Sequence, residues 1–169
     1  MKYFNGFCLR GEEELFTSYH DKGSYTIVGF SYGAIKAFEY CLNTKKRVDK
    51  LILLSPAFFQ ENSTSFKRTQ LLYFKKDSTS YIKNFLSNCA YPTKLELSKY
   101  LHHDTKEDLK KLLHYTWDEK NLKQLSANKT EIEVHLGQND KILNSKKAYE
   151  FFKEFATVYY YKDKGHILQ

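Results

Sequence analysis

Residues Gly29-Phe30-Ser31-Tyr32-Gly33 constrain this chain more than any other stretch. They follow a β-branched and aromatic run, Tyr25-Thr26-Ile27-Val28, that reads as a buried strand. After them Ala34, Ile35, Ala37, Phe38, Cys41 and Leu42 recur at three- and four-residue spacing, the period of a helix. A G-x-S-x-G at such a junction is a turn too tight for side chains at its flanking positions, hence a glycine two residues either side of the serine. Strain in that turn would hold the Ser31 hydroxyl at the top of a sheet, within reach of a base. The plainer reading of the same residues is a strand-to-helix turn with a capping serine.

The rest of the chain repeats the strand-then-helix rhythm at both ends. Lys2–Phe7 is an aromatic segment with a turn signal at Asn5-Gly6. Residues 11 to 20 open with Glu12-Glu13-Glu14, acidic residues that the helix dipole favours in a first turn, and the segment closes at Asp21-Lys22-Gly23. Val48–Leu54 contains the continuous apolar run expected of a strand buried on both faces. Glu131–Leu136 alternates apolar and polar, so its polar set, including His135, is expected on an open face. A helix over Asn144–Phe155 and a last strand at Thr157–Tyr161 complete the pattern. Strands alternating with helices predict a parallel sheet with right-handed crossovers. Residues 57–130 break the rhythm, because they carry helical periodicity without a convincing strand. One domain over 1–169 with a helical cap insertion at 57–130 is therefore expected.

A serine hydroxyl attacks only when a base takes its proton and a third group orients that base. In a sheet of this kind the chain order is serine, acid, histidine. His166, after Gly165 and past the last strand, is the candidate base. Asp140, in the loop after the fourth strand, is the favoured acid, with Asp163 as the alternative. The developing oxyanion needs two backbone donors, and Tyr32 N–H and Phe7 N–H are the candidates. No phosphate-cradling glycine loop is present, and His102, His103 and His114 lack the spacing of a metal site. No cofactor and no metal are expected. Cys8, Cys41 and Cys89 are too few and too scattered for a disulfide framework, which suggests a reducing cytoplasm. No apolar run is long enough to span a bilayer, and Met1–Gly6 lacks the apolar stretch of a signal peptide.

Together Gly29–Gly33, Gly137-Gln138-Asn139-Asp140 and Gly165-His166 resemble the α/β-hydrolase superfamily, in its chain order and over the whole chain. Asn5-Gly6-Phe7 is similar to that superfamily's His-Gly-aromatic oxyanion segment, with Asn in place of His. The resemblance implies a reduced α/β-hydrolase fold of about five parallel strands with helices on both faces and a helical lid between the third and fourth strands. Among short members, the chain most resembles the pimeloyl-acyl carrier protein methyl ester esterases of biotin synthesis. That implies hydrolysis of the methyl ester of a carrier-bound dicarboxylic acyl chain to methanol and pimeloyl-carrier.

Charge bears on this implication. The formal net charge is +7, from 27 basic and 20 acidic side chains, and 24 of the 27 are lysine. Residues 60–130 hold 13 basic against 8 acidic residues and so carry most of the surplus. An acidic acyl carrier protein bearing phosphopantetheine would be steered by such a surface. Lys67, Arg68, Lys75 and Lys76 form its densest cluster and are the candidate contacts. Lysine-rich composition also follows from A/T-rich codons, and without a groove-reading element it does not indicate nucleic acid. The enzyme is expected to be a monomer. A carboxylesterase or thioesterase without a carrier, or a binding module on the same scaffold, are the competing readings.

Overall fold

The computed structural model describes residues 1–19 and 23–169. The expected helix end at His20 and stop at Asp21-Lys22 lie outside the described residues. Five parallel strands form one sheet in sequence order: β1 (Lys2–Phe4), β2 (Thr26–Phe30), β3 (Lys50–Leu54), β4 (Glu131–Gly137) and β5 (Thr157–Tyr161). The register sets Ile27, Leu51 and Ile132 side by side on one face and Val28 and Ile52 on the other. β2 and β3 are buried on both faces, which is why their sequences are apolar without alternation.

Helix α1 (Tyr32–Asn43) covers the face of Ile27, Leu51, Leu53 and Val134 with Ala34, Ala37 and Phe38. Helices α5 (Glu119–Ala127) and α6 (Ser145–Phe152) pack on the same face. Trp117 anchors this layer, its ring against Phe38 and Phe152 and its indole N–H donating to the Ala57 carbonyl at 2.9 Å. The opposite face, formed by Val28, Phe30, Ile52 and Leu54, is covered by shorter pieces: Phe16, the end of α3 (Ser78–Ala90) with Cys89 and Ala90, Leu97, Tyr100, Ile167 and Leu168.

Between β3 and β4 lie α2 (Thr64–Lys76), α3, α4 (Lys106–His114) and α5. Each starts on a side-chain cap: Ser63, Asp77, Thr105 and Asp118 accept from amides of their first turns, and Thr105 with Asp108 completes a capping box. α2 packs on α3 and α4, whereas α5 lies against β4 and α1.

Two sequence expectations change here. The segment after β1 forms only a five-residue 3-10 helix, Glu12–Phe16, entered through Gly11 at φ 76°. Steps β1 to β2 and β2 to β3 also run in the same direction across the sheet but cross on opposite faces, one over Phe16 and one through α1. The two crossovers therefore have opposite hands. The right-handed rule arises from a helix packing back onto a twisted sheet, and the described residues of the first connection hold no α-helix to impose it. No helix among the described residues is long and apolar enough to cross a membrane.

Candidate active site

The elbow is built by close backbone approach. A Cβ on Gly29 would stand 2.3 Å from the Gly33 carbonyl oxygen, and one on Gly33 would stand 1.9 Å from that of Phe4. Only glycine fits at either position. Between them Ser31 takes φ 53° and ψ −114°, outside the ordinary regions for a residue with a side chain. The turn is pinned by Ser31 N–H donating to the Leu54 carbonyl at 2.9 Å and by Ala57 N–H donating to the Ser31 carbonyl at 3.1 Å. A helix cap would use its side chain on the helix, but Ser31 makes no side-chain cap bond.

Its hydroxyl faces His166 instead, with Oγ 3.0 Å from Nε2. His166 Nδ1 is 2.6 Å from Asp140 Oδ2. The other Asp140 oxygen accepts from the amides of Ile142 at 2.7 Å and Leu143 at 3.1 Å, so the carboxylate cannot swing away. With Nδ1–H donating to Asp140, Nε2 is left to accept from the serine. The loops carrying Asp140 and His166 are stitched together: Asn139 N–H donates to the Lys164 carbonyl at 2.9 Å, and a Cβ on Gly137 would meet the Gly165 carbonyl oxygen at 2.3 Å. Asp163, the alternative acid, is exposed. The side chains of Asp140 and His166 are fully buried, and Ser31 is 2% exposed.

The two candidate oxyanion donors share one property. Among hydrogen bonds of the described residues outside the helix and strand ladders, none uses the amide of Phe7 or Tyr32. Burial, with Asp108 and Asp104 nearby, pushes the Tyr32 phenol up to about 12. Cys8, next to Phe7, is buried, and its thiol is pushed up to about 12, so it stays protonated and is no nucleophile.

Beside this cluster α2, α3 and α4 enclose a cavity of about 700 Å³ with Phe59, Phe66 and Phe85 on its apolar walls and Asn84 and Lys76 among its polar groups. It reaches the site through two contacts. The Phe85 ring packs edge-on against Phe7 at 5.6 Å, and Ile142, which binds Asp140, is also a wall residue. Of the carrier candidates only Lys76 lines it; Lys67, Arg68 and Lys75 lie elsewhere on α2.

Sequence reasoning passed over Ser55, the residue just after β3. It sits at φ 41°, fully buried, and its hydroxyl donates to the His166 carbonyl at 2.6 Å. The available signal was its place at the carboxyl end of a buried parallel strand, where sites in such sheets collect. His135 is also corrected: it is 6% exposed, stacked on Tyr159 with centroids 4.8 Å apart, with Nδ1 2.9 Å from the Tyr161 hydroxyl.

The family of the alpha/beta hydrolase fold matches residues 14–169. The chain belongs to this family. Solved structures resemble it at low identity. An esterase from Exiguobacterium antarcticum is 20% identical with a TM-score of 0.67, over 83% of this chain and 59% of that one. MenH from S. aureus is 13% identical with a TM-score of 0.57, over 99% and 87%. BioG from Haemophilus influenzae is 10% identical with a TM-score of 0.59, over 98% and 87%. The chain thus spans less than two thirds of the Exiguobacterium esterase but most of the other two. No curated protein matches in sequence.

Proposed function

We propose that this alpha/beta hydrolase is a serine esterase in which Ser31 is the nucleophile, His166 the base and Asp140 the group that orients it. The observation that carries the reading is the unbroken line from Ser31 Oγ to His166 Nε2 at 3.0 Å and from Nδ1 to Asp140 at 2.6 Å, on a strained elbow. Ser31 Oγ adds to the ester carbonyl as Nε2 takes its proton. The oxyanion is met by the amides of Phe7 and Tyr32. As the tetrahedral species collapses, the alcohol leaves with the proton from His166. Water then attacks the acyl-enzyme, giving its proton to His166, and Ser31 recovers a proton as the acid departs.

The substrate we favour is the methyl ester of pimeloyl-acyl carrier protein, in the cytoplasm, yielding methanol and pimeloyl-carrier. The resemblance at Asn5-Gly6-Phe7 and the elbow supports it, as does the chemistry of α2. That helix carries Lys67, Arg68, Lys75 and Lys76, none ion-paired with a carboxylate among the described residues, beside exposed Leu72 and Tyr73. A basic surface with an apolar centre suits an acidic carrier delivering a long acyl arm. A carrier-free carboxylesterase is the second reading, favoured by the esterase among the structural relatives.

The test offers methyl pimeloyl-carrier and measures methanol against free thiol. Methanol release that disappears in Ser31→Ala is the expected result. Thiol release would make the chain a thioesterase, and turnover by Ser31→Ala would overturn the serine mechanism.

A further inference from the structure

Three successive amides in the loop after β1 have different fates. Gly6 N–H donates to Glu12 Oε1 at 2.7 Å, Phe7 N–H has no partner among the described residues outside the ladders, and Cys8 N–H donates to Asp104 Oδ2 at 2.8 Å. The unclaimed amide therefore lies between two that are held by carboxyl groups from different parts of the chain. Glu12 comes from the 3-10 helix and Asp104 from the segment leading into α4.

Neither placement is what a surface carboxylate adopts. Glu12 is fully buried, its Oε1 also accepts from the Tyr3 hydroxyl at 3.2 Å, and its Oε2 has no partner among the described residues. Glu13, beside it, is exposed, and Glu14 binds Lys99 at 2.8 Å, so the dipole of this short helix explains none of the burial at Glu12. Burying a carboxyl in apolar surroundings is costly, and burial raises the pKa of Glu12. On the other side Asp104 secures Cys8, which stands at φ 56°, a conformation a β-carbon disfavours. The Cys8 carbonyl accepts from His102 N–H at 2.9 Å, tying the same stretch to this residue. The loop abuts the nucleophile's helix, since a Cβ on Gly33 would lie 2.6 Å from the Asn5 carbonyl oxygen.

We propose that Glu12 and Asp104 are positioning residues that clamp the peptides flanking Phe7, so that the Phe7 N–H is held ready for the oxyanion of the reacting ester. The inference rests on the serine-esterase reading above. Each carboxyl acts as an acceptor, not as a charge, so its amide isostere should serve in its place. Asp104 further makes the helical insertion part of the oxyanion loop's support.

The experiment measures kcat and KM for p-nitrophenyl acetate in wild type and in Glu12→Ala, Glu12→Gln, Asp104→Ala and Asp104→Asn, alongside thermal melts. Removing one oxyanion donor costs about 100-fold in kcat or more, and partial loss of its alignment is expected to lower kcat about 10-fold or more in each alanine variant, with KM within about 2-fold. The Gln and Asn variants should recover to within a few-fold of wild type. Amide hydrogen exchange at Phe7 and Cys8 should accelerate in the alanine variants only. Wild-type kcat in the alanine variants, losses confined to KM, or equal losses in the amide and alanine variants would each overturn the proposal. If Glu12→Ala does not fold, the Asp104 pair, at a side chain that is 15% exposed, decides. An inactive wild type fails the esterase reading itself, whereas an active wild type with indifferent alanine variants fails only the clamp.

Discussion

At the scale of single residues, backbone contacts give the firmest expectations. Replacing Gly33 by Ala would drive a methyl group to within 1.9 Å of the Phe4 carbonyl oxygen, where neither partner is a movable side chain. Urea melts should show a loss of about 3 kcal/mol or more; a loss below ~1 kcal/mol would mean that the elbow and β1 can separate freely. These glycines were legible in the sequence because a turn's steric demand is local. His135 was not, since alternation along β4 pointed it outward and nothing nearby in sequence announced Tyr159 and Tyr161. Burial, with Lys50 close by, lowers its pKa from 6.5 to about 4. The unfolded chain thus takes up this proton first as pH falls. His135 supports stability fully above pH 6.5, the support drains away between pH 6.5 and about 4, and it levels off below. At ~1.4 kcal/mol per unit the whole loss is about 3 kcal/mol. Glu12, its pKa raised by burial, acts in the opposite direction as pH falls. Subtracting the pH profile of His135→Gln from that of wild type isolates the effect, and identical slopes between pH 7 and 5 would refute it.

Among the elements, capping decides where helices begin. Thr105 accepts from Asp108 N–H while Asp108 accepts from Thr105 N–H, so two amides at the start of α4 depend on one side-chain pair. Thr105→Ala should cost about 1 kcal/mol in a urea melt, with no change in the mean residue ellipticity of the folded baseline beyond one turn of helix. No measurable loss would mean that packing of Leu109, Leu112 and Leu113 alone sets the start of this helix. Sequence pattern located β2 to β5 within a residue or two but ran β1 three residues too far, to Phe7 instead of Phe4. It overestimated the segment after β1. The acidic triplet that marks a first turn reads the same for a 3-10 helix as for an α-helix, and only the packing of Phe16 against Phe30, at 4.7 Å, shows why the turn stops where it does. Glu12 was hidden by the same triplet, since burial distinguishes it from Glu13 and Glu14 and burial depends on Tyr3 and Gly6.

For the molecule as a whole, the charge of +7 becomes informative once it is placed. Four cations lie on α2, one of which, Lys76, lines the cavity. Reversing Lys67, Arg68, Lys75 and Lys76 to Glu should raise KM for a carrier-bound ester about 10-fold or more at low salt. The KM for p-nitrophenyl acetate should stay within 2-fold. On the carrier reading, a wild-type preference for the carrier ester should also fade as ionic strength rises and the screening length falls from ~30 Å at 0.01 M to ~8 Å at 0.15 M. Equal effects on both substrates would remove the carrier from the account.

Ser31 is 2% exposed and His166 is fully enclosed, while the cavity walled by Phe59, Phe66 and Phe85 approaches them through Phe85, Phe7 and Ile142. On the serine-esterase reading the reacting atoms are therefore behind a door of side chains, and entry is a separate kinetic event from chemistry. A reagent that modifies the serine should report how often that door opens: its rate would level off at high concentration, and the plateau would be the same for reagents of different intrinsic reactivity.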